Sequence, residues 1–444
     1  MKRVLDIEVW MLLMVAMLLT ACSDHSGEGS DEKGDCFLNI YVYAPEHPML
    51  TRADVGTIAS RTAKEHEVKT LQIWVFKHSD GGLVGYLEAQ PTFLNETPGQ
   101  EKFQIKVLDK VFADHPENVD VYVVANAFID FTNRVKNYDL IYIDDNNGQE
   151  ELTLDENTTR AQLEGAKIGE GSFGVKQKEE TENVYIPAVS SVPVAGLPMS
   201  GILKNQSIYG SYPTLRVGTQ DAMATLQLTR AVSKLRFVIC RKKGKVDNDG
   251  NDIAKKKLVS IESIELDSEV IPTASYLMPV EKPSYSSWEY VPESPTVIDF
   301  GGITKEQVES GVIPEVTNPM NYIYESQTAQ AYEDLINGAV SENKLKELGP
   351  IYFRESDKKL TGTIKYTVKE RTDTSDDWNN DNKVTTDTKE AEFSMVDKGD
   401  FLRNHSWIVY VFYMDATIYV LTVTNIGMKV WASGNFEERE VYNW

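Results

Sequence analysis

Period-two alternations and aliphatic or aromatic runs recur along the chain between turn signals, which is the pattern of strands in a β-sandwich. Runs of this kind at 68–77, 83–88, 102–108 and 119–126 predict strands, with Gly81-Gly82 and the polar residues 95–100 as turns between them. An earlier run, 37–44, stands apart. It places Leu38, Ile40, Val42 and Ala44 on one apolar face and Phe37, Asn39, Tyr41 and Tyr43 on the other. Helix is scarce: 158–166, opened by Thr158 or Thr159 as a cap, is the best candidate in the first half, and 328–348 contains one in the second. Residues 190–221 are rich in Pro, Gly and Ser and read as a linker or crossing segment, with a domain boundary near 222.

The second half restarts the pattern. Residues 223–241 hold two apolar runs around Thr229-Arg230, and the acidic stretch 247–252 separates them from 257–267, so a hairpin is expected. Strand-like sequence resumes at 350–354, 360–370 and 384–396. The runs 407–414 and 417–424 are apolar on both faces and belong in the centre of a sandwich. Beyond Gly427 come 428–431, a polar bend and 441–444; aromatic and branched residues are odd in a solvated tail and suit a strand that needs a partner. The pattern predicts an all-β fold with minor helix, in two sandwich domains.

The beginning of the chain reads differently. Lys2 and Arg3 precede an unbroken apolar run, 9–19, of signal-peptide length and too short to cross a bilayer. It ends in Leu19-Thr20-Ala21-Cys22, small residues before a cysteine whose thiol would be acylated, as in bacterial lipoproteins. Residues 1–21 are therefore expected to be a signal peptide and Cys22 the lipidation site. Residues 23–35, rich in Gly, Ser, Asp and Glu, have nothing to bury and read as a tether. Arg52-Ala53 follows the strand at 37–44 and offers an arginine to a protease, with Arg61-Thr62 as a second such bond. A β-domain that loses a built-in strand has an open groove, and such a groove binds a strand from another chain.

Composition narrows the function. A length of 444 residues exceeds one ordinary core. The net charge of −23 argues against a nucleic-acid partner, because a phosphate backbone needs clustered Lys and Arg. With Cys22 acylated, Cys36 and Cys240 remain on opposite sides of Arg52, and both read as small buried hydrophobes rather than a disulfide.

Two strings resemble parts of a protein kinase: Gly169-Glu170-Gly171-Ser172-Phe173-Gly174 and Asp299-Phe300-Gly301. The strand lysine and the His-Arg-Asp string that a kinase needs are missing, so the first is expected to be a surface loop. The six histidines have no ligand spacing, and around Asp247, Asp249 and Asp252 the first and last calcium-ligand positions fall on Lys245 and Lys256. There is no nucleophile elbow and no setting for a catalytic cysteine. No catalytic residue, cofactor or metal is expected.

In this order, several landmarks resemble the fimbrillins, the type V pilins of Bacteroidales. They are the lipobox 19–22; the strand 37–43; Thr51-Arg52-Ala53; the strand Leu71-Gln72-Ile73-Trp74-Val75-Phe76; Val121-Tyr122-Val123-Val124-Ala125-Asn126-Ala127; Leu228-Thr229-Arg230-Ala231-Val232-Ser233-Lys234-Leu235; Arg403-Asn404-His405; and the closing Val430-Trp431 and Trp444. The resemblance spans nearly the whole chain. It implies two tandem transthyretin-like β-sandwich domains, 53–221 and 222–444, behind a lipidated tether and removable strand, 22–52.

It also implies a life cycle: export to the outer membrane with a lipid anchor on the precursor, a cut between Arg52 and Ala53 by an arginine-specific protease, and assembly into a fimbrium at the cell surface. The donor strand would lie in 427–444, with Met428, Val430, Trp431, Val441 and Trp444 as its side chains, and the partners would be other pilus subunits, self or accessory. Burying Leu38, Ile40, Val42 and Ala44 contributes roughly 4–10 kcal/mol, comparable to the net stability of a domain. Two alternatives stand beside a shaft subunit. One is a tip or accessory adhesin of the same pilus; the other is a surface glycan-binding lipoprotein that does not polymerise.

Overall fold

Strands that are apolar on both faces need a packed layer on each side, and that requirement sets the architecture. The computed structural model describes residues 35–43, 65–91, 100–143, 149–169, 176–177, 184–187, 192–242, 257–267, 272, 274–279, 296–299, 313–322, 329–372, 382–396, 403–404, 406–414, 417–423, 428–432 and 440–441. In the first half the main elements are β1 (Phe37–Tyr43), β2 (Leu71–Lys77), β3 (Leu83–Ala89), β4 (Gln100–Lys106), α1 (Lys110–Asp114), β5 (Val119–Ala125), α2 (Arg160–Gly165), β6 (Met199–Gln206), β7 (Thr214–Val217) and β8 (Thr225–Gln227). In the second they are β9 (Ser233–Lys242), β10 (Lys257–Leu266), α3 (Ala329–Ser341), β11 (Lys346–Phe353), β12 (Leu360–Arg371), β13 (Val384–Val396), β14 (Ser406–Met414), β15 (Thr417–Val423), β16 (Met428–Ala432) and β17 (Glu440–Val441). The fold is all-β with minor helix.

β3, β2, β5 and β6 form an antiparallel sheet, extended by Thr229–Arg230. β2 is buried on both sides, since Leu71, Ile73 and Val75 alternate with Gln72, Trp74 and Phe76 and none is more than 1% exposed. The N–H groups on that second side find carbonyls, Trp74 Nε1 donating to Asp155 O at 2.8 Å and Gln72 Nε2 to Leu154 O at 3.2 Å, whereas Gln72 Oε1 has no hydrogen-bond partner among the described residues. Next to them, α2 begins in the predicted place. Thr159 caps it and forms a reciprocal capping box with Gln162. The opposite face of the sheet shares a core with the sheet that holds β1, and Leu277, Met278 and Tyr352 join that core from the second half of the chain.

Within 190–221, expected as a linker or crossing segment, the structure places three strands, Met199–Gln206, Ile208–Ser211 and Thr214–Val217, so this part is not a free linker. Its glycines serve close packing rather than slack. A Cβ on Gly201 would lie 2.4 Å from Leu226 Cδ2 and 2.8 Å from Gln227 O, so the residue lets β6 pass hard against β8. Gly218, at φ +135°, turns the chain between β7 and β8.

The second half is two facing sheets. β10, β12 and β13 continue a six-stranded sheet that also takes in Thr296–Asp299 and, from earlier in the chain, Val184–Pro187. β9, β14, β15, β16 and β17 form the other in that order, with β11 also on β9. Leu235, Phe237, Ile239, Val409 and Val411 face the six-stranded sheet across one core, while Val238, Cys240, Ile408, Tyr410 and Phe412 pack against Ile336 and Ala339 of α3 on the other side. This explains why the β14 segment is apolar on both faces.

The expected hairpin between β9 and β10 is also corrected, because the two strands lie in different sheets. β9 is itself two-sided. Both its edges are taken, by β11 antiparallel and by β14 parallel, which leaves β10 no edge to join. Asp299 ends a strand of the six-stranded sheet. Phe300, Gly301, residues 170–174 and the acidic stretch 247–252 lie outside the described residues.

Candidate functional site

β1 is a central strand. It pairs antiparallel with β4 along its whole length, from Phe37 opposite Lys106 to Tyr43 opposite Gln100. Its other edge is shared by two short strands, both parallel to it: Phe37–Asn39 pair with Thr214–Arg216 of β7, and Tyr41–Tyr43 with Thr225–Gln227 of β8. Ile40 sits opposite the break between them. The ends are fixed by further bonds, from Phe37 N to Pro213 O at 2.9 Å, from Val107 N to Cys36 O at 2.8 Å and from Leu228 N to Tyr43 O at 2.9 Å.

The predicted apolar face is the one that is buried. Leu38, Ile40 and Val42 are 0% exposed and lie in the same core as Ile105, Leu215 and Leu226 from the flanking strands. Phe37, Tyr41 and Tyr43, on the other face, are half-buried. At about 1.5–3 kcal/mol each, the three aliphatic side chains contribute roughly 4.5–9 kcal/mol. Cys36, next to the strand, is a buried free thiol whose pKa is raised, chiefly by burial. Cys240 is buried beside the Tyr410 hydroxyl, and burial pushes its thiol up to about 12. Both cysteines thus pack as hydrophobes.

Among the described strands, β4 has β1 as its ladder partner and is otherwise tied to β3 by the bridge between Gly85 and Val107. β1 thus lies between β4 on one edge and β7 and β8 on the other, with Leu38, Ile40 and Val42 over the core. Ala44, Arg52, Ala53 and Arg61 fall within 44–64, outside the described residues, as does Cys22.

Among the described residues the chain resumes after β1 at Glu65 and His66, whose contacts sequence reasoning missed. Glu65 accepts from Tyr352 Oη at 2.5 Å and from Lys234 Nζ at 2.9 Å, and its carbonyl accepts from Arg230 Nε at 3.0 Å. Arg230 also reaches His66 Nδ1 at 2.6 Å and Asn404 Oδ1 at 2.8 Å. Arg403 pairs with Glu355 and donates to Leu277 O at 3.0 Å and Tyr276 O at 2.6 Å. The landmark residues Arg230, Arg403 and Asn404 therefore sit at the junction between the two halves.

The carboxyl-terminal segment is paired within its own chain. β16 runs antiparallel to β15, with Met428 opposite Val423 and Ala432 opposite Tyr419, and β17 pairs back on Met428 and Lys429. The side chains of Met428, Val430, Trp431 and Val441, and all of Trp444, lie outside what is described. Among the described residues, no group of three or more His, Cys, Asp or Glu is placed to hold a metal ion.

No family model matches the chain, and no curated protein does. Solved structures similar to it include a fimbrial assembly protein from Parabacteroides distasonis, 11% identical, covering 90% of this chain and 100% of that one at a TM-score of 0.40. The tip fimbrial protein Mfa3 from Porphyromonas gingivalis, with a C-terminal truncation, is 13% identical over 88% and 99% at 0.37. A fimbrial protein from Bacteroides vulgatus is 10% identical over 90% and 100% at 0.36. The chain thus resembles fimbrial proteins of Bacteroidales. At these identities and TM-scores the likeness transfers no activity, and the case for function rests on β1 and its surroundings.

Proposed function

We propose that the chain is the precursor of a structural subunit of a surface fimbrium, built as two β-sandwich domains and assembled by strand exchange. Cys22 carries the lipid that holds the precursor at the outer membrane, and an arginine-specific protease cuts between Arg52 and Ala53. β1 then leaves, and a strand from a neighbouring subunit takes its place. The observation that carries this reading is the burial of Leu38, Ile40 and Val42 in β1; the sequence places two arginine bonds, Arg52-Ala53 and Arg61-Thr62, in the segment between that strand and Glu65. One cut within that segment frees β1 from the rest of the fold. The donor strand is the stretch 427–444; because β16 is paired with β15, donation requires it to leave that edge. The subunit performs no chemistry of its own in this reading, and supports adhesion through the polymer.

The test is the amino-terminal residue of protein recovered from the cell surface, determined by mass spectrometry. Ala53 is expected. A lipidated Cys22 on every mature molecule would sink strand exchange for this chain and leave an anchored, non-polymerising lipoprotein.

A further inference from the structure

β1 carries one polar residue that its position does not satisfy. Asn39 lies at mid-strand on the face opposite Leu38 and Ile40, in register with Gln104 of β4 and Arg216 of β7, and is 3% exposed. Its Nδ2 donates to Leu215 O at 3.2 Å, a carbonyl already in the parallel ladder with β1. Its Oδ1 is buried and has no hydrogen-bond partner among the described residues. A buried amide oxygen that has lost water and gained nothing weakens the strand that bears it. An apolar side chain of the same size would lose no hydration there.

We propose that Asn39 is a specificity determinant of the groove: it makes β1 the weaker occupant, so that a strand with an apolar side chain in that register displaces it once the chain is cut. The inference rests on the strand-exchange reading and adds the chemistry of the preferred partner at one position. An intact chain tolerates the mismatch because the connection to Glu65 keeps β1 at high effective concentration beside its slot. After the cut that advantage is gone and the intrinsic fit decides.

The experiment uses the full chain from Ser23, cut by an arginine-specific protease, and two synthetic peptides of residues 36–44, one native and one Asn39→Leu. Each is titrated as a competitor for the β1 fragment. The Asn39→Leu peptide is expected to displace it at a concentration at least about tenfold lower, the equivalent of ~1.4 kcal/mol. Equal or better competition by the native peptide would overturn the inference. In parallel, uncut protein carrying Asn39→Leu is expected to unfold at a higher urea midpoint, and a lower midpoint would show that Asn39 is a net stabiliser and refute it. Failure of both peptides to enter the cut protein would remove the strand-exchange reading itself, and this inference with it.

Discussion

Ile40→Ala is the sharpest perturbation of the β1 groove. The side chain is 0% exposed in the core, and the residue sits at the centre of the strand, opposite the break between β7 and β8. Truncating a buried isoleucine costs about 2–5 kcal/mol in lost transfer energy and cavity formation. Set against the roughly 4.5–9 kcal/mol contributed by Leu38, Ile40 and Val42 together, that is about half of the apolar contribution. The whole apolar term corresponds to dissociation constants from about millimolar to sub-micromolar, so the loss of Ile40 is large enough to decide whether a freed strand stays bound at micromolar protein.

Two readouts follow from these magnitudes. In urea titrations of uncut protein, Ile40→Ala should lower the unfolding free energy by about 2–5 kcal/mol. After an arginine-specific cut, size-exclusion chromatography should show the fragment leaving about 30- to 4,000-fold faster than from the parent, the same energy at 1.4 kcal/mol per decade. Tyr41→Ala, on the half-buried face, should do markedly less in both assays. A loss under about 1 kcal/mol for Ile40→Ala, with unchanged release, would mean that β1 is not part of the cooperative fold and would refute the groove energetics.

Three further outcomes are expected. Iodoacetamide should leave Cys240 unmodified in native protein, because burial holds its thiol near 12, whereas Cys36 should become reactive once the cut lets β1 leave; equal labelling of Cys36 before and after the cut would count against release. Glu65→Gln should cost about 3–5 kcal/mol in urea unfolding, since it strands the mostly buried Lys234 ammonium; a loss below about 1 kcal/mol would show that the junction is not built on that pair. Asp120 is buried, which works to raise its pKa, but the Asn205 N–H, His78 and Arg160 outweigh burial and hold it below its usual value. Its contribution is therefore complete above the unfolded carboxylate pKa of about 3.9 and is lost as pH falls through the lower folded value. Asp120→Asn should thus be less stable than the parent by about 1.5–3 kcal/mol at pH 7, with the gap closing below about pH 4; a gap independent of pH would refute the assignment.

The strands and the β1 face were legible because period two is a local signal: Leu38, Ile40 and Val42 announce a buried face without knowledge of what covers it. The two-sided runs at β14 and β15 were legible for the same reason. What failed depended on partners far along the chain. The strands that flank β1 on its parallel side, β7 and β8, come from and beyond a stretch whose Gly and Pro content resembles a linker, whereas the approach of Gly201 to Leu226 and the positive φ of Gly218 show two of its glycines serving packing and a turn. The hairpin expected at β9 failed because a strand with two apolar faces fills both of its edges elsewhere. Glu65 was invisible, since nothing local distinguishes a glutamate whose partners, Lys234 and Tyr352, lie 169 and 287 positions away.

The topology of β1 makes it suited to removal in a way that β2 or β5 is not. β2 is built in between β3 and β5, with a single partner strand along each edge, so its removal would have to open both edges along their length. The second edge of β1 is instead divided between two three-residue ladders rather than one continuous strand. A ladder interrupted at Ile40 can open from either end, with fewer hydrogen bonds to break at each step than a full-length partner would impose. β4, by contrast, matches β1 along all seven residues and would remain as a template, fixed beyond its end to β3. A replacement strand thus finds one intact edge to pair with and one segmented edge to close, over an apolar slot that cannot stay exposed to water.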